Sequence, residues 1–353
     1  MSSVDWQETG SGVPQGGGPP GSGTMGWPTW LKLVIFLIIL MALGWVLLLI
    51  SQYCKTGEKI SDLPGIPPPV AGLFGDSAEY RGELAGVARP LGVALGKDGR
   101  IYVTESAGER MVRVFDRNGK QLDAFAPPDS EILTRVPLYV AVSPKGDVYV
   151  SDRRARAIHI FSPDGDYRGV FEPKSFPAEN WQPLGLAFDD KGNLYVTEVT
   201  DTKHRVLVFD PSGELKLEFG KEGTEEGQFW FPNGITVDDR GRIYVADGTN
   251  GRLQVFDGEG KFLYLIPRGY GGGDLSMPRG VALDGDGHLL VADTSAHTVK
   301  VYDVSGDQPD FIRDIGESGS GDGQFRFPNG VALADGQIYV TDRENGRVQI
   351  WSY

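Results

Sequence analysis

The chain has 353 residues, of which 50 are glycine and 23 proline, and carries a formal net charge of −14. That much glycine and proline excludes a mainly helical protein and suits a β-fold that turns every few residues. Residues 1–60 balance three basic groups (Lys32, Lys55, Lys59) against three acidic ones (Asp5, Glu8, Glu58), so the charge lies on residues 61–353; an acidic domain repels phosphate backbones, and no nucleic-acid partner is expected.

Residues 1–30 are rich in Gly, Pro and Ser and too poor in apolar side chains to bury a core, which predicts a disordered tail. From Leu31 to Ile50 the chain runs LKLVIFLIILMALGWVLLLI, with Lys32 its only charge. As a helix this run reaches roughly 30 Å, a bilayer core, and Trp27, Trp30 and Tyr53 stand where interfacial aromatics collect. It is too long and uniform for a core helix, and no small-x-small cleavage site follows it before Cys54. The expectation is a single transmembrane α-helix over 31–53, a linker over 54–68 stiffened by Pro64, Pro67 and Pro68, and one domain over 69–353. The lone Cys54 permits no internal disulfide.

The domain aligns on itself as six copies opening at Pro90, Pro137, Pro183, Pro232, Pro278 and Pro328, at spacings of 47, 46, 49, 46 and 50. Each reads as an apolar strand, a Gly-containing turn, a second strand ending in an acid, a loop, a third strand and usually a fourth. The second strand recurs as YVTE (102–105), YVSD (149–152), YVTE (195–198), YVAD (244–247), LVAD (290–293) and YVTD (339–342). Four short strands per 40 to 50 residues are a propeller blade, because one such sheet cannot bury both its faces alone. The fold class expected is all-β, a six-bladed β-propeller of four-stranded blades.

The segments FGKEGTEEGQFWFPNG (219–234) and IGESGSGDGQFRFPNG (315–330), followed by NGRLQVFD and NGRVQIW, resemble NHL repeats. The resemblance covers about residues 68–353 and implies the propeller; it is nearly silent on activity, since NHL-like propellers include RNA binders, sensor domains, scaffolds and a few enzymes. The sixth copy stops after its third strand at Tyr353, so residues 69–75 (PVAGLFG), which look like the fourth-strand ending LEFG (217–220), are expected to complete blade six and latch the ring. The linker, at most about 50 Å long, then enters on the face of the tight turns, leaving the long inter-blade loops to face away from the membrane. A positive-inside count, with Lys55 and Lys59 after the helix and no Lys or Arg before residue 31, puts the propeller in the cytoplasm by one or two charges. Resemblance to bacterial single-span proteins of this layout implies the outside, and an extracytoplasmic propeller is the expectation.

Chemistry is sparse. The resembling peptidyl-hydroxyglycine lyase implies metal-binding histidines just after the opening prolines, yet those positions here are Leu91, Leu138, Leu184, Asn233, Arg279 and Asn329, and His159, His204, His288 and His297 lie elsewhere. Lactonase-like propellers imply oxygen ligands for calcium at the channel mouth. Asn233 and Asn329 offer oxygens there, with Arg279 between them and no acid beside them, so the three are read as Pro-Asn-Gly corner groups or as contacts to a small ligand. Neither metal nor cofactor is expected. An acid repeated in all six copies (Glu105, Asp152, Glu198, Asp247, Asp293, Asp342) is most simply a cap on the loop leaving the second strand. Arg153, Arg154 and Arg156 break the pattern of the second copy and form a candidate contact for a protein partner, as do Trp181 and Trp230 in neighbouring loops. The reading is a membrane-tethered binding or scaffold propeller, a sensor or accessory subunit without evident catalysis; the alternative is a hydrolase or lyase at the channel mouth.

Overall fold

In a computed structural model of the chain, residues 78–128, 130–174, 181–269 and 272–352 are described, and they build six four-stranded antiparallel sheets. Each of the six repeated prolines is the first residue of an innermost strand: Pro90–Leu95, Pro137–Val142, Pro183–Phe188, Pro232–Val237, Pro278–Leu283 and Pro328–Ala334. A strand's first residue tolerates proline because no ladder bond needs its missing N–H. Each proline lies opposite the acid that ends the second strand, as in Pro90↔Glu105 and Pro328↔Asp342. Prolines, acids and long inter-blade loops therefore share one face of the ring, and the tight turns after the first strands share the other.

The core is divided among the seams. Six clusters of buried apolar side chains each join two neighbouring blades, for example Tyr102 with Val148 between blades one and two, Tyr195 with Ile243 between three and four, and Val103 with Tyr339 between six and one. Period-two alternation puts one face of each sheet on either seam, which is why second strands such as Ile101–Glu105 and Ile243–Asp247 are buried at every position while the outermost Gln121–Phe125 is largely exposed.

All six pairs of first and second strands slip register in the turn after the opening proline, as between Pro90 and Val93. In blade one the N–H freed by the slip, on Gly92, donates to the Thr104 hydroxyl at 2.8 Å, and that hydroxyl donates in turn to the Leu138 carbonyl of the next blade at 2.6 Å. Ser151, Thr197 and Thr341 repeat the relay. Blades four and five carry Ala246 and Ala292 instead, and in blade five Thr294 reaches the Pro328 carbonyl at 2.7 Å.

Blade six is closed by Glu79–Leu84, antiparallel to Arg347–Ser352 from Glu79↔Ser352 to Leu84↔Val348. The closing strand is thus displaced from the expected 69–75, a segment outside the described residues. The register explains the choice: Leu84, fully buried, fills the seam with Ile101 and Val348, and Tyr80 packs edge-on against Trp351 with ring centroids 6.0 Å apart. Glu79 sits on the tight-turn face. Among the described residues no helix is long and apolar enough to cross a membrane; the expected span 31–53, tail and linker all lie outside them.

Candidate functional site at the channel mouth

Within the channel the first strands line a cavity of about 50 Å³, with Val93, Tyr139, Leu186, Ile235 and Val281 among its walls. Its walls are close because the third residue of the first strand is glycine in five blades. A Cβ on Gly185, Gly234, Gly280 or Gly330 would meet the neighbouring blade's backbone at 2.0 to 2.5 Å, and one on Gly92 at 2.8 Å. In blade two that residue is Tyr139, the one large side chain in a ring of glycines. Sequence reasoning passed over it, although the break from Gly to Tyr was visible in the aligned copies.

Tyr139 reaches across the channel to Asn329 of blade six and feels the charge of Arg279 of blade five. Burial pushes its hydroxyl up to about 12, while the Arg279 charge and the Asn329 side chain pull the other way. Asn329 is only 2% exposed, and its Nδ2 donates to the Leu91 carbonyl at 3.0 Å. Arg279 donates through Nη1 to Asn233 Oδ1 at 3.2 Å, and Asn233 Nδ2 donates to the Phe231 carbonyl at 2.7 Å. Of the buried polar atoms here, Arg279 Nε has no hydrogen-bond partner.

Above them, on the long-loop face, opens a cavity of about 350 Å³ between blades two and five. Leu138, Leu184, Val199, Phe231 and Met277 give it apolar walls, Gln182, Asn233 and Thr249 polar ones, and Arg153 and Arg279 bring two guanidinium groups. Neither arginine pairs with a carboxylate among the described residues, whereas Arg89 and Arg343 at the same mouth share Glu344 at 2.6 and 3.3 Å. Burial first, then the charges of Arg89 and Arg279, hold Arg343 below its ordinary range. The mouth of this acidic domain is cationic.

The structure thus brings Arg153, Asn233 and Arg279 to one cavity, with Asn329 beneath. Arg154 and Arg156 are exposed in the same loop, whose backbone N–H groups at Arg154 and Ala155 are held by Asp152 at 2.8 and 2.9 Å. Trp230 is 43% exposed on this face. Trp181, the other tryptophan offered as a partner contact, is 3% exposed: it packs under its loop against Phe171 and Phe209, because that end of the seam between blades two and three needs an aromatic to fill it.

The repeated acids are consumed by structure. Glu105, Asp152, Asp247, Asp293 and Asp342 each accept a backbone N–H from the loop just before their own blade's opening proline, at 2.7 to 3.0 Å, and Glu198 pairs with Arg205. In the motif D-x-x-N-G-R-x-Q at 247–254 and 342–349, the Asn, Arg and Gln all donate to the Asp, and the Arg also clamps two carbonyls of the preceding loop. The histidines are similarly engaged. His204 packs tilted against Phe231 with ring centroids 4.8 Å apart and His297 edge-on against Phe327 at 4.6 Å, each phenylalanine holding a positive φ before its proline. His159 meets the Tyr167 hydroxyl and His288 meets Asp284. Among the described residues no three His, Cys, Asp or Glu side chains come together as a metal site would require.

The NHL repeat family matches residues 229–256, 275–302 and 325–351, which lie in blades four, five and six. No curated protein matches the chain. Among solved structures, a streptogramin B lyase is similar at a TM-score of 0.55 and 15% identity over 78% of this chain and 97% of its own. A virginiamycin B lyase from Staphylococcus aureus is similar at 0.54 and 14%, over 78% and 99%, and a catalytically inactive form of that lyase with quinupristin at 0.55 and 14%, over 78% and 100%. Likeness at such identity shows the fold and carries no chemistry.

Proposed function

From a chain that carries NHL repeats and folds as a six-bladed β-propeller, we propose a membrane-tethered binding protein, a sensor or accessory subunit whose long-loop face takes its ligand at the channel mouth and meets a protein partner around it. The observation that carries the reading is the cavity of about 350 Å³ with Arg153 and Arg279 facing into it. It offers recognition groups on apolar walls, as a ligand site does, while the acids and histidines nearby are already committed to holding loops. The apolar run at 31–50 supports the tether, and the layout supports display outside the cytoplasm. Trp230, Arg154 and Arg156, exposed beside the mouth, supply the aromatic and guanidinium contacts that protein interfaces favour.

The test is crosslinking of the full chain in its membrane followed by mass spectrometry, comparing it with the Arg153→Ser, Arg154→Ser, Arg156→Ser triple variant. A crosslinked partner lost from the variant is the expected result. Turnover of a lactone or cyclic peptide without any stable partner or ligand would replace this reading with the lyase or hydrolase one.

A further inference from the structure

The arginines of the third strands are each met by the acid that ends the neighbouring second strand: Arg113 by Glu105, Arg205 by Glu198, Arg252 by Asp247 and Arg347 by Asp342. Arg279 departs from this. It stands on an innermost strand, partly buried, and among the described residues no carboxylate pairs with it. Its Nη1 donates instead to a neutral oxygen, Asn233 Oδ1, at 3.2 Å, and Asn233 is itself fixed, being 5% exposed and tied through Nδ2 to the Phe231 carbonyl at 2.7 Å. Among the described residues its Nη2 meets only the Met277 sulfur, at 3.9 Å. The guanidinium is thus held in one place with its charge unanswered, and it lines the cavity of about 350 Å³ together with Arg153, which has no carboxylate partner among the described residues either.

Space and access are both present there. The volume is that of a small ligand's pocket, and Arg153, Phe231 and Thr249, which line it, are exposed to solvent. Leu138, Leu184, Val199 and Met277 are apolar walls; they keep water from one side of the guanidinium groups and so strengthen the pull on an opposite charge.

We propose that this cavity takes a small amphiphilic anion: an oxyanion head, carboxylate or phosphate, that accepts from Arg279 and Arg153, on an apolar body that lies against Leu184, Val199 and Met277. The inference rests on the binding reading above and narrows it to a ligand class. Asn233 sets the place of the head by holding Arg279, whose planar fork can give paired N–H groups to two oxygens of one head. Arg153, reaching the cavity from an exposed loop, adds the second charge.

The experiment is calorimetric titration of the detergent-extracted full chain, with empty micelles as the blank, against 4-phenylbutyrate, its neutral amide 4-phenylbutyramide, phenyl phosphate, and the bare anions acetate and inorganic phosphate. Phenylbutyrate or phenyl phosphate is expected to bind about tenfold or more tighter than the amide, because charge-assisted hydrogen bonds are the stronger ones. It should also bind about tenfold or more tighter than the bare anion with the same head, because the ring is buried against the apolar walls. Whichever of the two binds tighter identifies the head as carboxylate or phosphate. Arg279→Gln should bring acid and amide to the same affinity, and Arg153→Gln should weaken the acid alone. Melting curves like the parent's separate these effects from misfolding; if Arg279→Gln does not fold, the comparison of anion with amide on the unsubstituted chain decides. Equal binding of the anions and the amide, bare anions binding as tightly as those with a body, no binding of any probe, or a folded Arg279→Gln variant that still prefers the acid would each overturn the proposal. If crosslinking finds the partner and no probe binds, the binding propeller stands and the anion site falls. If a probe binds through Arg279 but no partner is found and a substrate is turned over, the anion site stands and the binding reading falls.

Discussion

The Thr341 hydroxyl donates to the Leu91 carbonyl at 2.9 Å, across 250 residues of sequence, and accepts the Gly330 N–H at 2.6 Å. One side chain therefore satisfies the register slip of the last blade and ties that blade to the first. Thr341→Val keeps the shape and removes both bonds; Gly330 N–H is then unpaired, and Leu91 retains only Asn329. A loss of about 1–3 kcal/mol in equilibrium denaturation is expected, with Thr341→Ser recovering most of it. A valine variant as stable as the parent would mean that the relay contributes nothing.

The ring is latched by Glu79–Leu84, whose removal would leave the backbone edge of Arg347–Ser352 unpaired and uncover the seam that holds Leu84. A chain beginning at Ala78 is expected to melt as a cooperative propeller, and one beginning at Ala85 to aggregate or melt far lower. Equal melting temperatures for the two would show that the latch is dispensable.

Close approach at the channel makes the glycines stringent. A Cβ at position 280 would lie 2.4 Å from the Asn329 carbonyl oxygen and 2.8 Å from Gly330 Cα, both backbone atoms that cannot rotate away. Gly280→Ala is expected to cost about 1–3 kcal/mol, as overpacking does, and to disturb Asn329. At Gly241, in a tight turn with no atom within 4 Å of an added Cβ, Ala has only its φ of 78° to contend with and should cost less. Denaturant midpoints of the two variants, compared directly, decide it.

Removing Arg347 tests the loop clamps. Asp342 is fully buried and pairs with Arg347 at 2.9 Å, so Arg347→Met leaves a buried carboxylate short of its cation. A destabilisation of about 3–5 kcal/mol is expected, partly relieved when Asp342→Asn is added. A double variant no better than the single one would show that the arginine acts through the Gly321 and Gln324 carbonyls rather than through the charge.

His159 gives the fold an acid sensitivity. Burial holds its imidazole below the ordinary 6.5, with the Asp152 charge opposing more weakly. The unfolded chain therefore binds more protons at this site below that value, so stability is full at neutral pH, falls as pH drops through 6.5, and levels off below the folded pKa. In His159→Gln the slope of stability against pH over that window should flatten. A slope unchanged by the substitution would assign the acid sensitivity to other groups.

The blade number, the opening prolines and a structural role for the repeated acids were legible in the sequence, because each is a local pattern repeated at 46 to 50 residues: a strand start that tolerates proline, an alternating apolar strand, and an acid at its end; that five of these acids hold the loop entering the first strand, where a cap on the loop leaving the second was expected, took the pairing of the two strands. Burial of Trp181 and closure by Glu79–Leu84 were not, since both depend on which seam had space for an aromatic ring or a leucine. Asn233 and Arg279 could be placed at the mouth by register alone, but their union with Arg153 in one cavity required the curvature of the ring. Tyr139 carried a local signal, a tyrosine where the other copies have glycine, but not its meaning. Only the closed ring brings residue 139 near residues 279 and 329, because it sets the first strands of blades two, five and six around one channel, across which a tyrosine can reach.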